Sequence, residues 1–119
     1  MNVFKEKMKE RTLGVAIKVL RLCDEMQKTT SNTVVVNQVS RSATSIGANY
    51  RAACRAKSKA DFVNKLHIVE EECDETIYWI ELLVAMNDGI STETRAILGE
   101  LNDILAIVVS ALKTAKGIG

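Results

Sequence analysis

The sequence predicts an all-α chain, an antiparallel up-down-up-down four-helix bundle, and three observations lead there. Proline is absent and aromatic residues make up only 4% of the 119, against 47% apolar and 26% charged residues. That composition belongs to a globular chain and lacks the aromatic-rich strands and Pro-rich turns of β proteins. Four long segments carry apolar residues at steps of three and four, the spacing of one helix face. The links between them are only a few residues long, so consecutive helices must be antiparallel neighbours.

The first segment runs from about Phe4 to Lys28 and the second from near Thr33 to about Ala56. Ser58 is placed to cap a third helix that reaches Met86, where Asn87, Asp88 and Gly89 tolerate the left-handed turn that stops it. Ser91 caps a fourth, which runs to about Ala115 before Gly117. The length suits a single domain spanning residues 1–119 with a core of its own. In helix 2 the seam is Val36, Val39, Ala43, Ile46, Tyr50 and Ala53. Helix 3 contributes Phe62, Leu66, Val69, Cys73, Thr76, Ile80 and Leu83, and helix 4 Ile97, Leu101, Ile104, Val108 and Ala111. Seams of this kind pack at the shallow left-handed angle of bundles.

Helix 1 carries two apolar stripes. Leu13, Ala16, Ile17 and Leu20 form one, and Val15, Val19, Leu22 and Met26 form another roughly opposite it at about 100° per residue. A monomeric bundle needs one. The expectation is that the second stripe, Val15 to Met26, meets another subunit and the first meets the core. Leu98, Leu105, Val109 and Leu112 beside the seam of helix 4 point the same way, with a broad core face in a small bundle as the alternative.

Charge is divided unevenly. Residues 1–59 hold twelve basic and four acidic side chains, whereas residues 60–119 hold four basic and eleven acidic. An up-down-up-down path brings the start of helix 1, the helix 2–3 turn and the end of helix 4 to one end. Eleven cations gather there, including Arg51, Arg55, Lys57 and Lys59, with only Glu6, Glu10 and Asp61 against them. Such a surface attracts phosphate backbones or acidic protein segments within roughly a Debye length, about 8 Å. The competing reading is neutralisation across the hairpin, Arg41 facing Glu72 for example. No aromatic residue is interleaved with the cations, the two Tyr, the Trp and both Phe being seam-directed or apolar-flanked, so nucleic-acid binding would be backbone-led and salt-sensitive.

Little supports catalysis. His67 is the single histidine, and a carboxylate-bridged di-metal bundle needs two Glu-x-x-His motifs. Cys23, Cys54 and Cys73 are far apart and odd in number, which fits packing residues in a reducing cytoplasm better than nucleophiles or disulfides. The acids from Glu70 to Glu75 wind around their helix and do not converge, and phosphate-loop motifs are absent. No metal or cofactor is expected. The longest apolar stretch, Ile104 to Leu112, is far short of the roughly 20 residues of a membrane span. Ser45 and Asn49 lie beside the seam at Ile46 and need partners, a neighbouring helix's carboxylate or carbonyl, or partial exposure at an edge.

The stretch Arg41-Ser42-Ala43-Thr44-Ser45-Ile46-Gly47-Ala48-Asn49-Tyr50-Arg51-Ala52-Ala53 resembles the helix 2 signature of a bacterial family. Its members are the proteins encoded in 23S ribosomal RNA intervening sequences, also called S23 ribosomal proteins. Ser58-Lys59-Ala60-Asp61-Phe62 resembles the family's polar turn, and Ile68 to Glu75 followed by Trp79-Ile80-Glu81-Leu82-Leu83 resembles its helix 3. The resemblance implies a compact antiparallel bundle that assembles as a ring-like homopentamer. One related branch, the accessory variability determinant of diversity-generating retroelements, binds nucleic acid and a reverse transcriptase through Lys and Arg. Arg41, Arg51, Arg55, Lys57 and Lys59 are the nearest counterparts here, on a chain whose net charge is only +1. The function this points to is a non-enzymatic homopentamer binding RNA or DNA phosphates through a basic end. The alternative is a scaffold that docks an acidic partner protein.

Overall fold

Each helix begins on a side chain that accepts one of the backbone N–H groups a helix start leaves without a partner. In the computed structural model, which describes residues 2–89 and 91–117, Asn2 accepts from Lys5 N and opens α1 (Val3–Glu25). Thr29 does the same for α2 (Thr30–Cys54), Ser58 for α3 (Lys59–Met86) and Ser91 for α4 (Thr92–Lys116). The exits are equally local. Asp88 and Gly89 take φ of 60° and 114° after α3, and Gly117 takes 73° after α4. Two boundaries differ from the periodic reading. α2 starts at Thr30, three residues early, because Thr29 caps a polar first turn that has no apolar period. α1 ends at Glu25, three residues before Lys28, because the extended Met26 turns the chain and Asn32 Nδ2 then donates to Gln27 O at 2.9 Å.

The helices pack in the cyclic order α1, α2, α3, α4, each touching its chain neighbours and α4 closing on α1. The α2–α3 contact is the most extensive and the α1–α4 contact the least. Val19, Val39, Ala43, Ile46, Val69, Cys73, Ile80, Leu101 and Ile104 are completely buried along the axis. Burying an aliphatic side chain of this size contributes roughly 1.5–3 kcal/mol. The expected seams of helices 2 to 4 run through this core with three adjustments, the first being that Phe62 is only partly buried at the start of α3. Val35 is buried where Val36 was expected, and Leu112 where Ala111 was, since each lies one residue nearer the axis.

Polar groups in the core pair locally. The Ser42 and Thr76 hydroxyls lie 2.8 Å apart across the α2–α3 seam, and Thr76 donates to Glu72 O at 2.7 Å. Thr12 donates to Met8 O at 2.9 Å. At Gly47, a Cβ would come within 3.2 Å of Thr12 Oγ1, so the missing side chain is what lets α1 and α2 approach there.

α1 reverses the expected use of its two stripes. Val15 and Val19 are buried, and Leu22 and Met26 pack against the core, so they do not form a surface for another subunit. Leu13, Ile17 and Leu20 are instead the exposed ones, at 53%, 40% and 37%. The physical reason is length. The buried stripe runs the whole helix as Met8, Thr12, Val15, Val19 and Cys23, and only a seam of that length can follow a 23-residue helix against its neighbours. Val19→Asp therefore places a charge in the core and should cost at least about 4 kcal/mol. Ile17→Asp should keep helical circular dichroism and a cooperative melt. Equal loss of structure in both variants would contradict this assignment.

Candidate nucleic-acid interface

Four helix ends meet at one end of the bundle. Lys59 of α3 and Ala115 and Lys116 of α4 line one recess there. Phe4 of α1 and Phe62 of α3 line another with Thr114 and Ala115. The α2 end joins them through Tyr50, whose phenol is held above its ordinary value by burial first, then by Cys54 and by Glu6 of α1.

Arg51, Arg55, Lys57 and Lys59 run across the α2–α3 turn, and all four are exposed. None has an ion-pair partner among the described residues. The same holds for Lys5, Lys7, Lys65, Lys113 and Lys116, whereas Lys9 pairs with Glu6 at 3.1 Å. Arg11 is also spent. Its guanidinium reaches Glu100 with Nε at 3.0 Å and Nη2 at 2.6 Å, and Asp103 lies 3.8 Å away, so it ties α1 to α4.

Arg41 does not belong with the other four candidates. It stands ten residues before Arg51, about 15 Å along the helix. Its guanidinium holds Glu72 through Nη1 at 2.8 Å and Nη2 at 3.4 Å, and Glu75 at 3.3 Å. Neutralisation across the hairpin, the competing reading of the charge pattern, is what this residue does. Glu72 is nearly buried, and a buried carboxylate needs a cation and hydrogen bonds to stay ionised.

Ser45 and Asn49 are half-buried on the α2–α3 side of the seam. Ser45 Oγ donates to Arg41 O at 2.8 Å and Asn49 Nδ2 to Ser45 O at 2.9 Å, so both are satisfied within their own helix. The aromatic residues divide. Tyr50 is buried, whereas Phe4 and Tyr78 are 50% and 57% exposed, so of the two placements expected, seam-directed or apolar-flanked, these two are not seam-directed. Tyr78 packs edge-on to Trp79 with centroids 5.1 Å apart, in the half of α3 away from the basic end.

His67 is half-exposed with Nδ1 3.3 Å from Glu70 Oε1, and no group of three potential metal ligands occurs among the described residues. Burial pushes the Cys73 thiol up to about 12 and raises Cys23 as well, so neither supplies a thiolate at neutral pH. No helix of the described residues is long and apolar enough to cross a membrane.

These features define an all-α antiparallel bundle with most of its unpaired cations gathered at one end. The chain belongs to the family of 23S rRNA-intervening sequence proteins, whose pattern matches residues 5–110. A protein of unknown function from the S23 ribosomal protein family of Bacteroides thetaiotaomicron has a similar crystal structure, with a TM-score of 0.79. The two chains are 34% identical over 89% of this chain and 98% of that one. No curated protein matches the chain.

Two carboxylates give the ion pairs a pH signature. Burial would raise Glu72, but Arg41, Glu75 and Ser45 together hold it below the ordinary 4.5. Glu100 is held low by its hydrogen bond from Arg11, against a smaller opposing effect of burial. Glu75 is raised, chiefly by its bond to Glu72, and opposes them weakly because it stands in solvent. Carboxylates held low in the folded chain take up protons on unfolding, so their contribution is full above pH 4.5 and is lost as pH falls through the lowered values. Chemical denaturation between pH 6 and pH 3 (roughly the carboxylate range) should show stability falling with acid. Glu72→Gln and Glu100→Gln should each flatten that fall, and wild-type slopes in both variants would contradict the pairing.

Proposed function

We propose that this chain is a non-enzymatic homo-oligomeric bundle, pentameric as the family resemblance implies, whose basic ends bind RNA or DNA phosphates. The observation that carries the reading is the run of Arg51, Arg55, Lys57 and Lys59, exposed and without ion-pair partners among the described residues. A cation already paired, such as Arg41, must give up its carboxylate to bind a phosphate, and these four need not. Their attraction to a phosphate backbone is carried by counterion release and is independent of base sequence.

Assembly strengthens this. Leu13, Ile17 and Leu20 border an apolar groove of about 290 Å³ between α1 and α2, whose other wall includes Gly47, Ala48 and Arg51. Three large apolar side chains in one exposed stripe are the surface that self-association would cover. In a ring of parallel subunits the basic ends lie on one face, and several weak phosphate contacts add as an avidity.

The test is anisotropy titration of a structured RNA and a duplex DNA at several salt concentrations. The wild type should bind in the micromolar range or tighter, with affinity falling steeply as salt rises. Replacing Arg51, Arg55, Lys57 and Lys59 by Ala should abolish binding at physiological salt and reduce the duplex salt slope by roughly 3 to 4, at about 0.9 per phosphate contact. Ile17→Asp should lower the sedimenting mass to that of a monomer and weaken binding without removing it. Absence of binding at low salt overturns the phosphate reading, and an unchanged mass for Ile17→Asp overturns the proposed interface.

A further inference from the structure

The seam between the first and last helices is the least packed of the four. Arg11 clamps it midway, through Glu100 and Asp103. Beyond that clamp, toward the basic end, it opens into a cleft of about 690 Å³. Phe4 of α1 and Phe62 of α3 line one part of it, and α4 lines the rest from Ala106 to Ala115. Only the hydroxyls of Ser110 and Thr114 interrupt an otherwise apolar lining of side chains.

Two features say what would fill it. The α4 wall runs as Ala106, Ile107, Ser110, Ala111 and Thr114, a strip about 12 Å long at the helical rise. Small residues dominate that strip, so another helix backbone can come close. At its end, Ala115 is shared with a second recess of about 560 Å³ whose walls carry Lys59 and Lys116. An apolar trough therefore ends at two lysines that have no ion-pair partner among the described residues.

We propose that this cleft receives an amphipathic helix of a partner protein, with its apolar stripe against Phe4, Phe62 and Ile107 and its acidic residues at Lys59 and Lys116. Apolar anchors at i, i+3 or i+4, and i+7 span about 10 Å, which the α4 strip accommodates. A phosphate backbone offers no apolar stripe and would leave Phe4 half in water. A second copy of this chain also carries exposed acids near apolar residues, Glu71, Asp74 and Glu81 near Ile68 and Tyr78 on α3, and the sedimenting mass of a variant that fills the cleft separates it from a partner protein. The proposal does not depend on nucleic-acid binding.

The probe is a fluorescein-labelled helical peptide of about 14 residues with Leu on one face and Glu on the other, compared with a twin carrying Lys for Glu. The full chain should bind the Glu peptide in the micromolar range and the Lys twin at least about tenfold more weakly. Ser110→Trp, at an exposed position that fills the trough, should weaken the Glu peptide about tenfold or more. Its helical circular dichroism and its RNA binding should stay unchanged. Lys116→Glu should weaken the Glu peptide and strengthen its twin. The proposal is overturned if the Glu peptide fails to bind at millimolar concentration, if both peptides bind alike, or if Ser110→Trp leaves binding intact. It is also overturned if Ser110→Trp lowers the sedimenting mass of the chain alone, which would make the cleft an interface between copies.

Discussion

Glu72 points a carboxylate into the seam between α2 and α3, and that group imposes a condition on the bundle. It must meet a cation at a fixed height, and Arg41 meets it with both arms of the guanidinium while Ser45 stands beside it. One turn further along the seam, the Ser42 and Thr76 hydroxyls pair in the core. Directional contacts of this kind allow one register, whereas an apolar seam alone would tolerate a slide by a turn. At the far end of the bundle, Asn32 and Asn87 exchange amide hydrogen bonds of 3.1 and 2.9 Å and fix the same pair of helices again.

The register of α2 on α3 decides where charge is free. Arg41 and Arg11 are consumed as struts, one between α2 and α3, the other between α1 and α4. Both lie away from the α2–α3 turn. Most of the cations left without partners among the described residues then fall on one end, Lys18, Arg21, Lys28 and Arg95 being the exceptions, because the chain reverses there between Arg55 and Lys59 and the last turn of α4 arrives beside it. The basic end is thus a remainder, what stands after the bundle has used the arginines that its own carboxylates require. The looseness of the α1–α4 seam has a related origin, since these helices are distant in sequence and share no turn to hold them together beyond the Arg11 strut.

Much of this was legible in residues alone. Ser58, Ser91 and the Asn87-Asp88-Gly89 stop act through local hydrogen bonds and φ preferences, so each could be placed without the fold. The family was legible from helix 2, and the Arg41–Glu72 pair was visible as an alternative use of a charge. The two faces of α1 were not. Both stripes are apolar, and periodicity gives a direction without saying what stands there. The deciding signal was the continuation of one stripe through Met8 and Thr12, which a reading confined to residues 13 to 26 omits. The direction of Phe4 and Tyr78 stayed open for a similar reason, because an aromatic residue near apolar neighbours in sequence need not face them in space.

The central claim is that the cluster of unpaired cations at one end, and not exposed positive charge in general, makes the contact surface. Lysine acylation read by mass spectrometry, with and without a bound structured RNA, tests it residue by residue. Lys57, Lys59, Lys113 and Lys116 should be protected by the RNA, while Lys18 and Lys28, exposed toward the other parts of the bundle, should react as before. Protection spread evenly over all lysines, or centred on Lys18 and Lys28, would contradict the account.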